Sequence, residues 1–479
     1  MWSRSMRKLW PLVAASLVAA LAAACARGEG PGGGAAGAAP QVVVQAGQLQ
    51  PAPAGAQLSG WDTAESRRGD LRLLASYDSS GPPAWDVAAH PTVYMTSEGM
   101  GYGHRPSATN KLPGIQVIDA YTKEVVASAL FDLGEEVRSQ PHGLGISPNG
   151  QWVYIGFADR VAATGENRNL VLVVNARTLK LDKVLTHPVQ RLHHIGGFKD
   201  WMGRDRVVLD FGFGANGGPH FILDPNDDNR VVRAITYDDV RPMGHPYTAP
   251  DPTGKFLYVS MGAPWIREAD SHSAGIAKVN LETGAVTVIE GVGNHPIGIA
   301  HTSDGKYTYV ADGTNSLVFK IDNETNKVVA HTSAGVAGPY GLRLNWDETK
   351  LYVMGKGEGS HNTGGVVGEI DLTTFSPSRD FNQPIQTGGA IIDHGILHPD
   401  PAVNELWISS AGTFETIVLD LNTRQVKARI PSPHGGDTHS GGFVRYNRDF
   451  SGELLIDMLG PQKAMYAVMR EKAAAAAKS

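Results

Sequence analysis

The chain of 479 residues contains a single cysteine. That excludes a disulfide framework, a CxxCH haem attachment and a zinc site built on thiolates. Charge is also sparse, with 19% of residues charged, against about 25% in an average domain. The formal net charge of −6 supplies no basic field for nucleic acid. The one long apolar run, residues 9–24, falls short of the roughly 20 residues that cross a bilayer comfortably. There is no G-x-S-x-G elbow, no P-loop and no HExxH; the last absence argues against a zinc peptidase.

What is abundant is glycine (57), proline (29) and, conspicuously, histidine (17). So much glycine and proline is too much for a helical bundle. The N-terminus reads as an export signal: Arg4, Arg7 and Lys8 precede the apolar run, and Cys25 follows it directly. Leu21 stands four residues before Cys25 rather than the usual three of a lipoprotein site, and cleavage after Ala26 is the alternative. Either way the mature chain is expected outside the cytoplasm, in the periplasm, with a membrane link only through a lipid on Cys25. Residues 26–58 are Gly, Ala, Pro and Gln with almost no charge, the composition of a flexible linker. Residues 471–479, with the alanine run 473–477, read as a second unstructured tail.

Between these ends the chain repeats itself. Segments 141–154, 245–258 and 295–309 each give an apolar strand, a turn of Asp, Asn, Gly or Pro, and a strand of β-branched and aromatic residues. An Asp/Asn-x-x-Thr sequence begins at Asp119, Asn175, Asn280, Asp322, Asp371 and Asp420, with Asp224 filling the gap, at spacings of 42 to 56 residues. A four-stranded unit of this length marks a β-propeller blade. The fold class is therefore all-β, a single propeller over residues 59–470. Inner strands are expected to begin near Ala84, His142, His194, His245, His295, Tyr340, His394 and His439. That count favours eight blades, with seven as the runner-up. Residues 71–77 are expected to complete a last unit whose other strands are 442–446, 453–458 and 464–469.

Six of those eight starts are histidines: His142, His194, His245, His295, His394 and His439. In a propeller the first residues of the inner strands ring one mouth of the central channel. A lone His-Pro in a blade is usually a turn residue bonded to a carbonyl. Six in register instead suggest ligation, because imidazole is the commonest transition-metal ligand. All-nitrogen ligation suits copper, zinc, iron or nickel, and six imidazoles suit a multinuclear copper centre or a large axially ligated cofactor. Long polar loops open on the same mouth and carry Glu98, His104 and Lys111, then Glu268, Asp270 and His272, then Glu358 and His361. His301, His331 and His398 fall in turns or outer strands and read as structural.

The repeat resembles the YVTN-type propellers, and the histidine register is similar to that of the copper propellers, nitrous oxide reductase and thiocyanate dehydrogenase. With one cysteine and no second domain expected, the chain resembles the latter more. This resemblance implies copper on His142, His194, His245, His295, His394 and His439. It implies an active-site lysine at Lys111, an acidic base at Glu268 and a further ligand at His361. The activity implied is oxidation of a small anion, thiocyanate, to cyanate and sulfur, with electrons passed to an external acceptor such as a cytochrome c. Two departures are Tyr340, where a ring histidine could stand, and the eight-blade count, since those enzymes have seven. Eight blades fit a haem d1-binding or d1-biogenesis propeller, although few cationic side chains stand at the ring for its carboxylates. A lactonase-like or non-enzymatic binding propeller is the third alternative.

Overall fold

The computed structural model describes residues 41–46, 71–102, 105–134, 136–137, 141–160, 167–187, 191–213, 219–236, 246–262, 274–378 and 383–478. They form one β-propeller of seven blades. Blade 2 is Leu144–Ile146, Trp152–Arg160, Asn167–Asn175 and Leu181–His187; blade 3 is Arg191–Lys199, Asp205–Phe213, His220–Asp224 and Arg230–Ile235. Blades 4 to 7 follow, with inner strands Thr248–Pro250, Pro296–His301, Pro339–Leu344 and Ile392–Leu397.

Blade 1 explains why seven blades look like eight. Its three outer strands, Thr92–Glu98, Gly114–Asp119 and Val125–Asp132, come from the start of the propeller, and its inner strand, Gly441–Tyr446, comes from the end. The segment near Ala84 forms no strand and bonds through Ala84 N–H to the Arg177 carbonyl of blade 2, while the strand after it, Thr92–Glu98, pairs with the inner strand that follows His439, so the first and last expected starts yield one blade. Residues 71–77 do not close the ring either. Arg72–Ser76 pairs on the outside of blade 2, against Leu181–His187. Gln41–Ala46 lies parallel to the outer strand of blade 1.

Two local rules build the blades. At all six Asp/Asn-x-x-Thr sites the leading side chain accepts from the backbone N–H groups two and three residues on, as at Asp119 and Asp420. These Asx turns join the third strand of each blade to the fourth. The second rule is burial. Inner strands such as Pro296–His301 are buried at every residue, whereas the outer strand Lys327–Ser333 alternates exposed and half-buried. Inner strands crowd around the axis, so glycine is needed where they meet. A Cβ on Gly298 would lie 2.0 Å from the Tyr340 carbonyl of the next blade.

The last part of the chain does not build a further blade. After the inner strand of blade 1 it turns back as Gly452–Asp457 on that strand's inner side. This hairpin fills the channel, because it touches blades on every side. Asp457 Oδ2 accepts from Gly197 N–H of blade 3 (3.2 Å), Met458 O accepts from the Tyr247 hydroxyl of blade 4 (2.7 Å), and Arg343 of blade 6 reaches the carbonyls of Asp457 and Met458. Residues 464–469, expected as a strand, lie in the helix Lys463–Ala476, which runs on into the segment read as an unstructured tail. Met465, Tyr466 and Met469 are its buried residues. No helix of the described residues is long and apolar enough to cross a membrane.

Candidate metal centre

The starts of the inner strands converge above the channel hairpin. His439 precedes the inner strand of blade 1 and His142 that of blade 2. His194 lies within that of blade 3, Tyr247 precedes that of blade 4 and His295 that of blade 5. Tyr340 and His394 lie within those of blades 6 and 7. All seven side chains are buried.

Regular strands would point alternate residues away from the axis. The inner strands break register here. Pairing with the second strand slips between Leu192 and Ile195, Pro296 and Ile299, Pro339 and Leu342, and Ile392 and Gly395. Such irregularities re-aim side chains beside functional sites. In blade 3 the slip brings both His193 and His194 into the cluster, with ring centroids 3.7 Å apart.

The structure gathers His142, His194 and His439 most tightly: one ring nitrogen of each lies within 4.8 Å of the others. Their rings are roughly parallel, with His142 4.2 Å from His439 and His194 6.0 Å from both. His394 stands edge-on to this group, 5.1 Å from His194 and 5.3 Å from His439. Burial, with His439 beside it, holds the His394 imidazole well below its usual pKa, so it is neutral near pH 7. His394 Nε2 and His439 Nε2 are buried and have no hydrogen-bond partner among the described residues. His193 differs. Its Nδ1 bonds the Pro246 carbonyl and its Nε2 pairs with the Tyr340 hydroxyl at 3.2 Å, so both nitrogens are engaged. It packs the cluster, whereas its neighbour His194 is a member of the group of three.

The remaining expected site residues lie differently. His295 is buried, and burial with the Lys356 ammonium pushes its imidazole down to about 3. Its ring meets Gly313 beside Glu358. His361 is exposed, with Nδ1 3.1 Å from Thr363 Oγ1. Lys111 is exposed and donates to the Ser107 carbonyl at 2.7 Å. No contact among the described residues joins Lys111 or His361 to the imidazole group. His245, Glu268, His104, Asp270 and His272 lie outside the described residues.

Charged groups gather here too: Lys356, Asp393 and Asp437, which the sequence did not single out, beside Glu358 and Glu98, which the sequence placed in the mouth loops. Lys356, at the end of the second strand of blade 6, is 1% exposed in its side chain. Its Nζ lies 2.9 Å from Asp393 Oδ1 and 3.1 Å from Glu358 Oε2, and 4.1 Å above the Tyr340 ring. The other oxygen of Asp393 stands 2.9 Å from His439 Nδ1. Burial alone would raise the Asp393 carboxyl, but the Lys356 ammonium and the contact with His439 outweigh it and hold it below the usual range. Two more carboxyls close this side. Burial, with the charges of Asp393 and Glu98, pushes Asp437 well up. Glu98 is raised by burial and accepts from the backbone N–H groups of His434 (2.8 Å) and Gly436 (3.2 Å). Two features of the sequence mark part of this set: the His193-His194 doublet, and Asp393 directly before a ring histidine.

No family model matches the chain, and no curated protein matches it. Solved structures do match in fold. The periplasmic gluconolactonase PpgL of Pseudomonas aeruginosa is 14% identical, over 74% of this chain and 99% of that one, with a TM-score of 0.48. The dihydro-heme d1 dehydrogenase NirN is 14% identical, over 80% and 81%, at 0.45. Hydrazine synthase of Kuenenia stuttgartiensis is 15% identical, over 66% and 94%, at 0.44. Likenesses of this depth bear on the fold alone.

Proposed function

We propose that the protein is a copper-dependent oxidoreductase of the periplasm that acts on a small inorganic anion, thiocyanate. The observation that carries this reading is the group of His142, His194 and His439, three buried imidazoles with ring nitrogens within 4.8 Å of one another. The donor set fits copper: all nitrogen, no thiolate, with His394 beside it held neutral. Zinc, iron and nickel take the same donors, and copper is chosen for the expected compartment and the resemblance of the histidine register. Bound copper would supply a one-electron couple and lower the pKa of coordinated water. Thiocyanate and water would give cyanate, elemental sulfur, two protons and two electrons. The electrons would leave singly to an external acceptor such as a cytochrome c.

The chain's own residues would hold the metal, exclude bulk water and manage charge. The channel hairpin closes the floor, and Tyr247 ties that floor to the cluster by its hydroxyl on Met458 O and its ring 5.1 Å from His194. Lys111, exposed, would attract the anion toward the mouth rather than hold it at the imidazoles. The lysine among the imidazoles is Lys356, already paired with two carboxylates. The haem d1 alternative is less well supported, since imidazole centroids 3.7 to 6.0 Å apart leave no slot for a tetrapyrrole between them. A single hard cation, as in the lactonase-like alternative, prefers oxygen ligands. Export by the N-terminal signal, with a lipid on Cys25, would keep the propeller at the membrane face.

The test is elemental analysis of the protein loaded with copper, followed by thiocyanate with a c-type cytochrome as acceptor. Bound copper with thiocyanate-dependent reduction and cyanate release is the expected result. Copper-loaded protein that reduces no acceptor, with a dye tried as well, would remove the substrate and leave only the metal site.

A further inference from the structure

The triad of imidazoles needs more than proximity. A histidine offers a metal a lone pair only on the nitrogen that carries no proton, and a partner on the other nitrogen decides which one that is. Around His439 such a partner is in place. Asp393 Oδ2 lies 2.9 Å from Nδ1, an ion-pair contact that is not aligned as a hydrogen bond, and no carboxylate stands at that distance from Nε2, which has no hydrogen-bond partner among the described residues. The carboxylate is itself fixed, because its Oδ1 lies 2.9 Å from Lys356 Nζ. Lys356 in turn is held between Asp393 and Glu358 and against the Tyr340 ring, almost wholly out of solvent.

We infer that Asp393 is the positioning carboxylate of the centre: clamped by Lys356, it keeps the proton of His439 on Nδ1 and so presents the Nε2 lone pair to the metal. This rests on the metal reading of the triad, but its first half concerns the metal-free protein. The two residues differ from the imidazoles in kind. Neither is a ligand in this arrangement, and each acts through the next: ammonium on carboxylate, carboxylate on imidazole. A buried ammonium–carboxylate pair is costly to assemble without a further use, and orienting His439 supplies that use. The register slip between Ile392 and Gly395 spans both Asp393 and His394, so one irregularity brings the carboxylate to His439 while His394 joins the imidazoles.

The experiment uses full-length protein labelled with 15N-histidine, with His439 assigned by its absence in His439→Gln. In the metal-free wild type, His439 is expected in the Nδ1–H form. In Asp393→Ala the Nε2–H form should grow. Copper(II) affinity, read by competition with a chelator, should fall about 10- to 100-fold in Asp393→Ala, the range typical of lost outer-sphere partners. Lys356→Met should fall in the same direction. Asp393→Asn keeps the shape and an acceptor oxygen, so it should retain the Nδ1–H form and lose less affinity. Thermal melts confirm which variants fold, and Asp393→Asn serves if Asp393→Ala does not. A wild-type His439 found as Nε2–H overturns the inference, as does a folded Asp393→Ala with unchanged tautomer. If the wild type binds no copper while His439 is Nδ1–H and shifts in the variant, the metal reading fails and the positioning stands.

Discussion

Arg343, on the inner strand of blade 6, donates through Nη2 to the carbonyl of Met458, 3.0 Å away in the hairpin that fills the channel. The same guanidinium reaches the carbonyls of Asp457 at 3.3 Å and, through Nε, of Gly395 at 3.0 Å. One buried side chain thus serves three backbone acceptors that have left water. The floor of the imidazole cluster hangs on it, because Met458 O also accepts from Tyr247, whose ring packs on His194.

Arg343→Leu should therefore cost stability heavily. Met458 O keeps the Tyr247 hydroxyl, but the Asp457 and Gly395 carbonyls lose this donor at about 1–3 kcal/mol each, so a loss of at least about 2 kcal/mol is expected in urea unfolding. Arg343→Lys should fall between the two. Limited proteolysis should release the C-terminal segment first in the leucine variant. Equal midpoints for Arg343→Leu and wild type would mean that the hairpin is held by something else.

Ring closure gives a second prediction. Gly441 begins the inner strand of blade 1, and a Cβ there would lie 2.4 Å from Met95 O and 2.7 Å from the Tyr94 hydroxyl. Gly441→Val should part the seam between the two chain ends, at a cost of about 1–3 kcal/mol or more. Among the described residues, deleting 1–76 removes only outermost strands. That chain should fold, with a lower melting temperature and its copper affinity retained. A truncated chain that cannot fold, beside a Gly441→Val protein that melts normally, would move the closure to the outer strands.

The metal centre gives a third. Alanine in place of His142, His194 or His439 should each lower copper affinity by about 100-fold or more, beyond the loss expected for outer-sphere partners. His361→Ala should leave it unchanged, since His361 is exposed and bonded to Thr363. His301→Ala is a buried control away from the cluster: its Nδ1 bonds Thr308 and its ring packs on Tyr258. It should lose stability but not copper. Chelator competition on folded variants separates these outcomes, and equal affinity in all five would dissolve the triad as a site.

These residues also show what the sequence could and could not reveal. The Asx turns are local: an Asp or Asn bonds two and three residues ahead, so six turns announce themselves and set the repeat. The histidine register follows from that repeat, and five of the six ring histidines are buried at the channel mouth; His245 lies outside the described residues. The blade number was misread because closure is non-local. Thr92–Glu98 and Gly441–Tyr446 are hundreds of residues apart, and nothing in either says that they share a sheet. Residues 453–458 have the apolar pattern of any blade strand, yet they pair on the inner side of Gly441–Tyr446. Lys356 and Asp393 were invisible for another reason: a charged residue in a sequence reads as surface until its partners are known, and these partners come from blades 1, 6 and 7. Lys111 attracted attention by its place in a mouth loop, whereas the lysine enclosed by the cluster ends a strand.

Asp457 provides the pH test. Its carboxyl is buried in the channel hairpin, accepting from Leu459 N–H at 2.9 Å and Gly197 N–H at 3.2 Å. Burial pushes its pKa up to about 7 from the usual 3.8, against those bonds and the nearby Arg343 charge. The folded protein therefore binds this proton more tightly than the unfolded chain does. Between about pH 4 and pH 7 the native state carries more protons here, so this group's contribution to stability is full below pH 4 and is lost as pH rises through 7. At about 1.4 kcal/mol per pH unit, the swing is on the order of 4 kcal/mol. Asp457→Asn cannot ionise and lacks the swing. Its amide faces one N–H group less well, a penalty that does not change with pH. The stability of Asp457→Asn relative to wild type should thus rise from pH 4.5 to about pH 7 and level off by pH 8 in urea unfolding, whatever its starting offset. A difference that stays flat across that range would show that Asp457 is ionised in the folded protein throughout.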